Sequence, residues 1–252
     1  MAQSATEQLT RYCVGAGRID AIPNGVRLVL PGGTGRGYSD SQLDDFHGRA
    51  RRDYLWRPPV TLSLRARFSH PAHQLLGTAG FGWWNNPFAA DRAMLPTAAP
   101  KNLWFFFASP PANLALTGRW VGNGWFAQSL NIPTVFHFAG ALGVLLVRFP
   151  KIRGVMQRAA TRLTRATEQP LAEMDITLWH EYRIEWHPDL AHFEVDGERV
   201  LTAPSPPAGP LAVVIWMDNQ WADTRGRSGV LDVVEKQWME VEEIQLWQEY
   251  SP

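Results

Sequence analysis

Cysteine is nearly absent: Cys13 is the sole one in 252 residues. An intrachain disulfide and a multi-cysteine metal site are thereby excluded. A lone thiol with no motif around it reads as packing, not as a nucleophile. Net charge is missing too, because 24 basic residues balance 24 acidic ones. No global field therefore draws the chain toward nucleic acid or an acidic membrane. No apolar run reaches the roughly 18 residues of a membrane span. The opening MAQSATEQLTRYCVG lacks the basic start and apolar core of a secretion signal, which sets a cytoplasmic location as the expectation. None of the seven histidines shows a metal-ligand spacing, and no G-x-S-x-G elbow occurs. The Gly-rich PGGTGRG at 31–37 lacks the Gly-Lys-Ser/Thr ending of a phosphate loop. No metal and no cofactor are expected.

Aromatic residues, by contrast, are abundant. Twelve tryptophans and an aromatic share of 12% call for a wide core, a stacking surface, or both. Short alternating or apolar runs broken by Gly, Pro, Asn and Asp fill the chain. VTLSLRARFS (60–69) sends Leu62, Leu64, Ala66 and Phe68 one way and Ser63, Arg65 and Arg67 the other. GVRLVLPGG (25–33), YSDSQLDDF (38–46), GTAGFGWWNNPF (77–88), KNLWFFFAS (101–109) and GNGWFAQSL (122–130) read as further strands. So do LWHEYRIEW (178–186), AHFEVDGERVL (191–201), LAVVIWMDNQW (211–221) and WMEVEEIQLWQ (238–248), with Asp196-Gly197 a tight turn. This pattern predicts a single all-β domain over 1–252, a sandwich or jelly roll.

One segment departs from it. After Pro150, Ile152, Val155, Met156, Ala159 and Leu163 fall near one helical face, interrupted by Arg153, Arg158, Arg162 and Arg165. A helical insertion is expected at about 140–168. It reads as an amphipathic helix packed on the sandwich, as a lid over a cleft, or as a basic surface (148–166) touching a membrane or partner.

Several segments, in order, resemble glycoside hydrolase family 16, the laminarinase-like group of the concanavalin A-like jelly roll. YSDSQLDDF followed by VTLSLRARF looks like that family's opening strand pair, and GFGWWNN like its "P-A-F-W" strand. WHEYRIEWHPDLAHFEVDGERV is similar to the family hairpin "F-H-T-Y-x-I-E-W-T-P-D-x-I-x-F-Y-V-D-G". His180, Tyr182, Glu185, Trp186, Pro188, Asp189, Phe193, Val195, Asp196 and Gly197 are in step with it. The resemblance runs from about residue 38 to the end and implies a concanavalin A-like fold with a groove across one sheet. The hairpin is structural in that family and carries fold, not activity. The family's catalytic strand is E-x-D-x-x-E, whose alternate carboxylates stand about 5–5.5 Å apart for retaining hydrolysis. KNLWFFFASP occupies the corresponding place and holds no acid; between Tyr54 and Thr167 the only acid is Asp91. The family's mechanism is therefore not expected here.

In such a groove, Trp216, Asp218 and Gln220 share one face of an otherwise apolar strand. A carboxylate there should be partnered or hold its proton, which makes Asp218 the leading acid/base, with Asp44 its candidate partner beside Gln42 and Asp45. Trp83, Trp84, Trp104 and Phe106 offer rings for stacking, and Asn85 and Asn86 offer amides. Three functions are compatible with this. One is an enzyme that transforms a bulky, largely apolar small molecule by acid/base chemistry at Asp218. Another is a non-catalytic, lectin-like binder of carbohydrate. The last is a glycoside hydrolase with relocated carboxylates.

Overall fold

The computed structural model describes residues 3–4, 9–35, 37–86, 88–89, 92–96, 98–117, 120–133, 165–224 and 227–248. The first strands are β1 (Gln3–Ser4), β2 (Thr10–Val14), β3 (Arg18–Ile22), β4 (Gly25–Leu30), β5 (Asp40–Asp44) and β6 (Val60–Phe68). Next come β7 (Thr78–Trp84), β8 (Phe88–Ala89), β9 (Arg92–Pro96), β10 (Lys101–Ala108), β11 (Gly124–Asn131) and β12 (Thr167–Pro170). The chain continues through β13 (His180–Trp186), β14 (Leu190–Val195), β15 (Glu198–Pro204) and β16 (Ala212–Asp218). It closes with β17 (Gln220–Ala222), β18 (Ser228–Val230) and β19 (Gln237–Gln248).

Two antiparallel sheets form a jelly-roll sandwich. The first runs β15-β14-β13-β6-β19-β4-β3, with β1 beside β19; the second runs β12-β11-β10-β7-β16-β5-β2. Alternation dictates how they meet. On β6, Val60, Leu62, Leu64, Ala66 and Phe68 are buried in the core between the sheets. Arg67 and Arg65 point outward and pair with Glu240 (2.6 Å) and Glu242 (2.5 Å) of the neighbouring β19. Tyr182, Ile184 and Trp186 on β13 and Phe193 on β14 enter the same core, where Trp186 meets Trp83 at 5.5 Å between centroids. Each such side chain contributes roughly 1.5–3 kcal/mol by burial. Asp196 and Gly197 both have positive φ, 52° and 80°, the backbone that a two-residue hairpin turn between β14 and β15 requires.

The inner strands of the second sheet, β11, β10, β7, β16 and β5, are buried on both faces, and the four aromatics of β10 show why. Phe105 and Phe107 enter the core between the sheets, while Phe106 joins a second apolar cluster on the outer face, with Trp104 packed against it. β16 does the same: Val213, Ile215 and Met217 face inward, and Val214 and Trp216 outward.

The expected helical insertion is corrected. Among the described residues the one helical element is a three-residue 3-10 turn, Arg51–Asp53, so no helix of seven residues or more is present. Thr167 and Glu168, assigned to the helix from composition, begin β12 and pair with Ser129 and Gln128 of β11. Residues 140–164 of that expectation lie outside the described residues.

Candidate functional site

The outer face of the second sheet is floored by glycine. Gly80 and Gly82 sit on β7 in close contact with β10 and Trp216. A Cβ on Gly80 would meet the Phe105 carbonyl at 2.3 Å and the Trp216 ring at 2.8 Å, and one on Gly82 the Leu103 carbonyl at 2.2 Å and the Trp104 Cα at 2.6 Å. Gly82 also holds φ +150°, which side chains rarely adopt. These bare positions let Trp216 and Trp104 lie across the strand. Trp104 then contacts Trp216 and Phe106 at 5.3 and 5.0 Å, and Trp84 at 6.1 Å between ring centroids. Around them opens a cleft of about 190 Å³ whose walls include Trp84, Trp104, Phe106 and Phe126, with Asn102 and Gln128 as polar members.

Trp104 is fixed by a relay. Its indole N–H donates to Gln128 Oε1 at 2.9 Å, and Gln128 Nε2 donates to Glu168 Oε1 at 2.9 Å. Glu168 also accepts from the Thr117 hydroxyl (2.9 Å), the Trp120 indole (3.1 Å) and the backbone of Leu116 and Thr117. One carboxylate thereby ties Leu116, Thr117 and Trp120 to the rim of the cleft. Asn102 is 3% exposed, and its Oδ1 has no hydrogen-bond partner among the described residues.

Asp218 lies elsewhere on the sheet. It accepts from the Thr78 hydroxyl (2.8 Å) and the Gln220 backbone (3.0 Å), and the Trp216 indole donates to that same hydroxyl (3.0 Å). The strand register sets Asp40 directly opposite Asp218, where Cβ atoms stand about 4.5–5.5 Å apart. Burial pushes the Asp218 carboxyl up to about 6. Burial first, then the charges of Asp218 and Asp44, hold Asp40 well above the usual carboxylate range. Two desolvated acids this close cannot both ionise, so the pair keeps a proton. Tyr38 sits against it, its phenol held protonated by burial and then by Asp218.

Of the residues expected to form the site, Trp84, Asn85, Trp104 and Phe106 line the cleft. Trp216 packs beside the lining rings Trp104 and Phe106, each at 5.3 Å between centroids. Trp83 does not reach it: alternation on β7 turns that ring into the core against Trp186. Asn85 supports the wall, but its side chain is spent on the Ala99 carbonyl (2.8 Å) and the Lys101 N–H (3.0 Å). Asn86, at φ 37°, offers its carbonyl to Arg51 at 2.9 Å. Gln220 is half-buried on β17 and touches Asp218 through its backbone. Asp44 is not the partner of Asp218. It stands opposite Val214, four residues from Asp40 and so about 13 Å along the strand. Its oxygens are taken by Gln42, by the backbone N–H groups of Phe46 and His47, and by the His47 ring. Asp40, Asn102, Gln128 and Glu168 escaped the sequence reading. The D-S-Q-L-D alternation put Asp40 and Asp44 on one face, but only the register chooses between them.

The two-sheet topology and groove define the concanavalin A-like jelly roll, a fold shared by lectins and glycan-acting enzymes. No protein-family model matches the chain, and no curated protein sequence does. Among solved structures it is similar to a legume lectin-like domain from Entamoeba histolytica (TM-score 0.54, 10% identity, 97% of this chain and 91% of that one). It is also similar to a Crh5 transglycosylase in complex with NAG (TM-score 0.52, 12% identity, 99% and 84%). A third is a GlcNAcα1-4Gal releasing endo-β-galactosidase from Clostridium perfringens (TM-score 0.53, 12% identity, 98% and 61%). At such identities the likeness shows the fold alone.

Proposed function

We propose that this protein binds a carbohydrate, seating one sugar ring in the Trp84–Trp104–Phe106 cleft without cleaving it there. The observation that carries this reading is the lining. Where a retaining hydrolase of this fold needs alternate carboxylates on the central strand, β10 presents Asn102, Trp104, Phe106 and Ala108 on its outer face. Rings stack on the apolar face of a sugar, and an amide takes its hydroxyls. At about 190 Å³ the cleft is smaller than the roughly 300–1,000 Å³ of drug-sized sites, which supports a single ring over a bulky polycycle. The fold's occurrence in a lectin-like domain and in glycan-acting enzymes is consistent with this.

A second reading is favoured by one observation, the Asp40–Asp218 pair. A protonated and an ionised carboxyl facing each other are the reagents of acid/base catalysis. A glycan array probed with the full chain, followed by a turnover assay on each retained glycan, separates the two. Retention without turnover supports binding; turnover abolished in Asp218→Asn supports the pair as catalyst. No retention of any glycan contradicts the first reading.

A further inference from the structure

Beside the aromatic cleft lies a second, polar hollow of about 420 Å³, and Lys101 lines both. Its lining also includes Arg165, Asp189 and Ser205. Lys101 is rigidly rooted: its N–H donates to Asn85 Oδ1 (3.0 Å), and its carbonyl accepts from the Asn85 N–H (3.1 Å). The neighbouring Asn131 amide bridges the Ser205 and Pro206 carbonyls at 3.1 Å, which closes one wall. Among the described residues neither Lys101 nor Arg165 forms an ion pair. Next to Lys101 on β10, the buried Asn102 carries its unpartnered oxygen at the cleft. Of the acids on this sheet face, Asp40 and Asp218 lie away from that end, while Glu168 and Asp44 stand level with Trp104 with their oxygens already engaged by hydrogen-bond donors. Asp218 is level with Thr78 and, through it, with Ala108, whereas Asn102 is level with Trp84. Six residues separate those levels, about 20 Å along the strands.

We propose that the bound saccharide is anionic, with its ring on Trp84 and Trp104 and a carboxylate or sulfate reaching past the cleft to Lys101 and Arg165. The inference rests on the ring-binding reading and adds the ligand's charge and direction. Two cations against the one acid, Asp189, give the hollow a positive balance, and ammonium and guanidinium groups without partners are the donors such an anion needs. The Asp40–Asp218 end repels the same group, so the ligand enters in one orientation.

The test is calorimetric titration of the full chain with matched disaccharides, either neutral, carrying a uronic acid, or 6-sulfated, at about 50 and 300 mM salt. The expected result is at least a tenfold preference for one or both anionic forms, which shrinks at the higher salt. Lys101→Met should bring the ratio of anionic to neutral affinity toward one, and Arg165→Met should lower it partly, with thermal midpoints checking that both variants fold. Preference for the uronate alone or for the sulfate alone identifies the source of the charge. Equal affinity for neutral and anionic sugars, or a Lys101→Met ratio like that of the wild type, overturns the inference while leaving ring binding intact. Absence of any sugar binding overturns both.

Discussion

Asp218 reads in sequence as an isolated acid in an apolar run; folded, it is half of a pair with Asp40. Its carboxyl titrates at about 6 instead of the usual 3.8, so the folded state holds the proton more tightly than the unfolded chain. The resulting stabilisation is present in full below about pH 4 and is lost as pH rises through 6. Asp218→Asn keeps both accepted hydrogen bonds on its Oδ1 and removes the titration. Relative to the wild type, the variant should gain up to about 3 kcal/mol between pH 4 and pH 8. Chemical denaturation at the two pH values reads this directly, and parallel curves would show that the pair does not share a proton. Composition and alternation exposed Asp218 as unusual. Its partner stayed hidden because β5 and β16 are far apart in sequence, and pairing across that distance is set by register, which local pattern does not encode.

Among the elements, β7 and β12 show what supports the cleft. Gly80 and Gly82 give Trp216 and Trp104 their floor, with Cβ clearances under 3 Å. Gly80→Ala should therefore cost roughly 1–3 kcal/mol by overpacking. It should also displace Trp216, seen as a changed tryptophan emission; a variant with wild-type stability and emission would remove the floor from the account. On β12, Glu168→Ala strips the acceptor from Gln128, Trp120 and the 116–117 backbone. The expected loss is roughly 2–3 kcal/mol, together with weaker ligand binding because Trp104 loses its relay. A thermal midpoint within a degree of wild type would contradict that role. The strands themselves were legible: the β6 alternation, the β13–β14 hairpin and the Asp196-Gly197 turn all follow from local pattern and appear as expected. The W-F-F-F run suits a strand buried on both faces, and what its pattern leaves open is whether the rings are core or cleft wall. The structure shows two buried faces, which is why every position is aromatic. Glu168 was missed for a different reason. Helix-forming composition before it absorbed it into the expected insertion, yet β11 offered it a strand partner, and tertiary pairing outweighs propensity.

For the whole molecule, buried acids set the pH range of stability. Asp45 and Asp218 are pushed up to about 6, and Asp40 well above the usual carboxylate range, chiefly by burial. Their stabilisation fades as pH rises from about 4 through 6. Glu240 and Asp196 are lowered by their partners, Arg27 with Arg67 and His180. Theirs is present above the usual carboxylate range and is lost on acidification below it. The thermal midpoint should therefore peak near pH 5 and decline on both sides, and a midpoint rising steadily from pH 5 to 8 would contradict this assignment. Fold recognition drew on the same scale. The hairpin and the segment order carried the jelly roll, while the rings on β10, where the resemblance implied acids, support the proposal of binding without cleavage. The measurement closest to the central claim is a calorimetric titration of wild type and Trp104→Ala with a panel of neutral and acidic oligosaccharides. Saturable binding by the wild type, weakened at least tenfold in a Trp104→Ala protein of unchanged thermal midpoint, is the expected result. Binding that survives the loss of Trp104 undiminished, or no binding by the wild type, would contradict it.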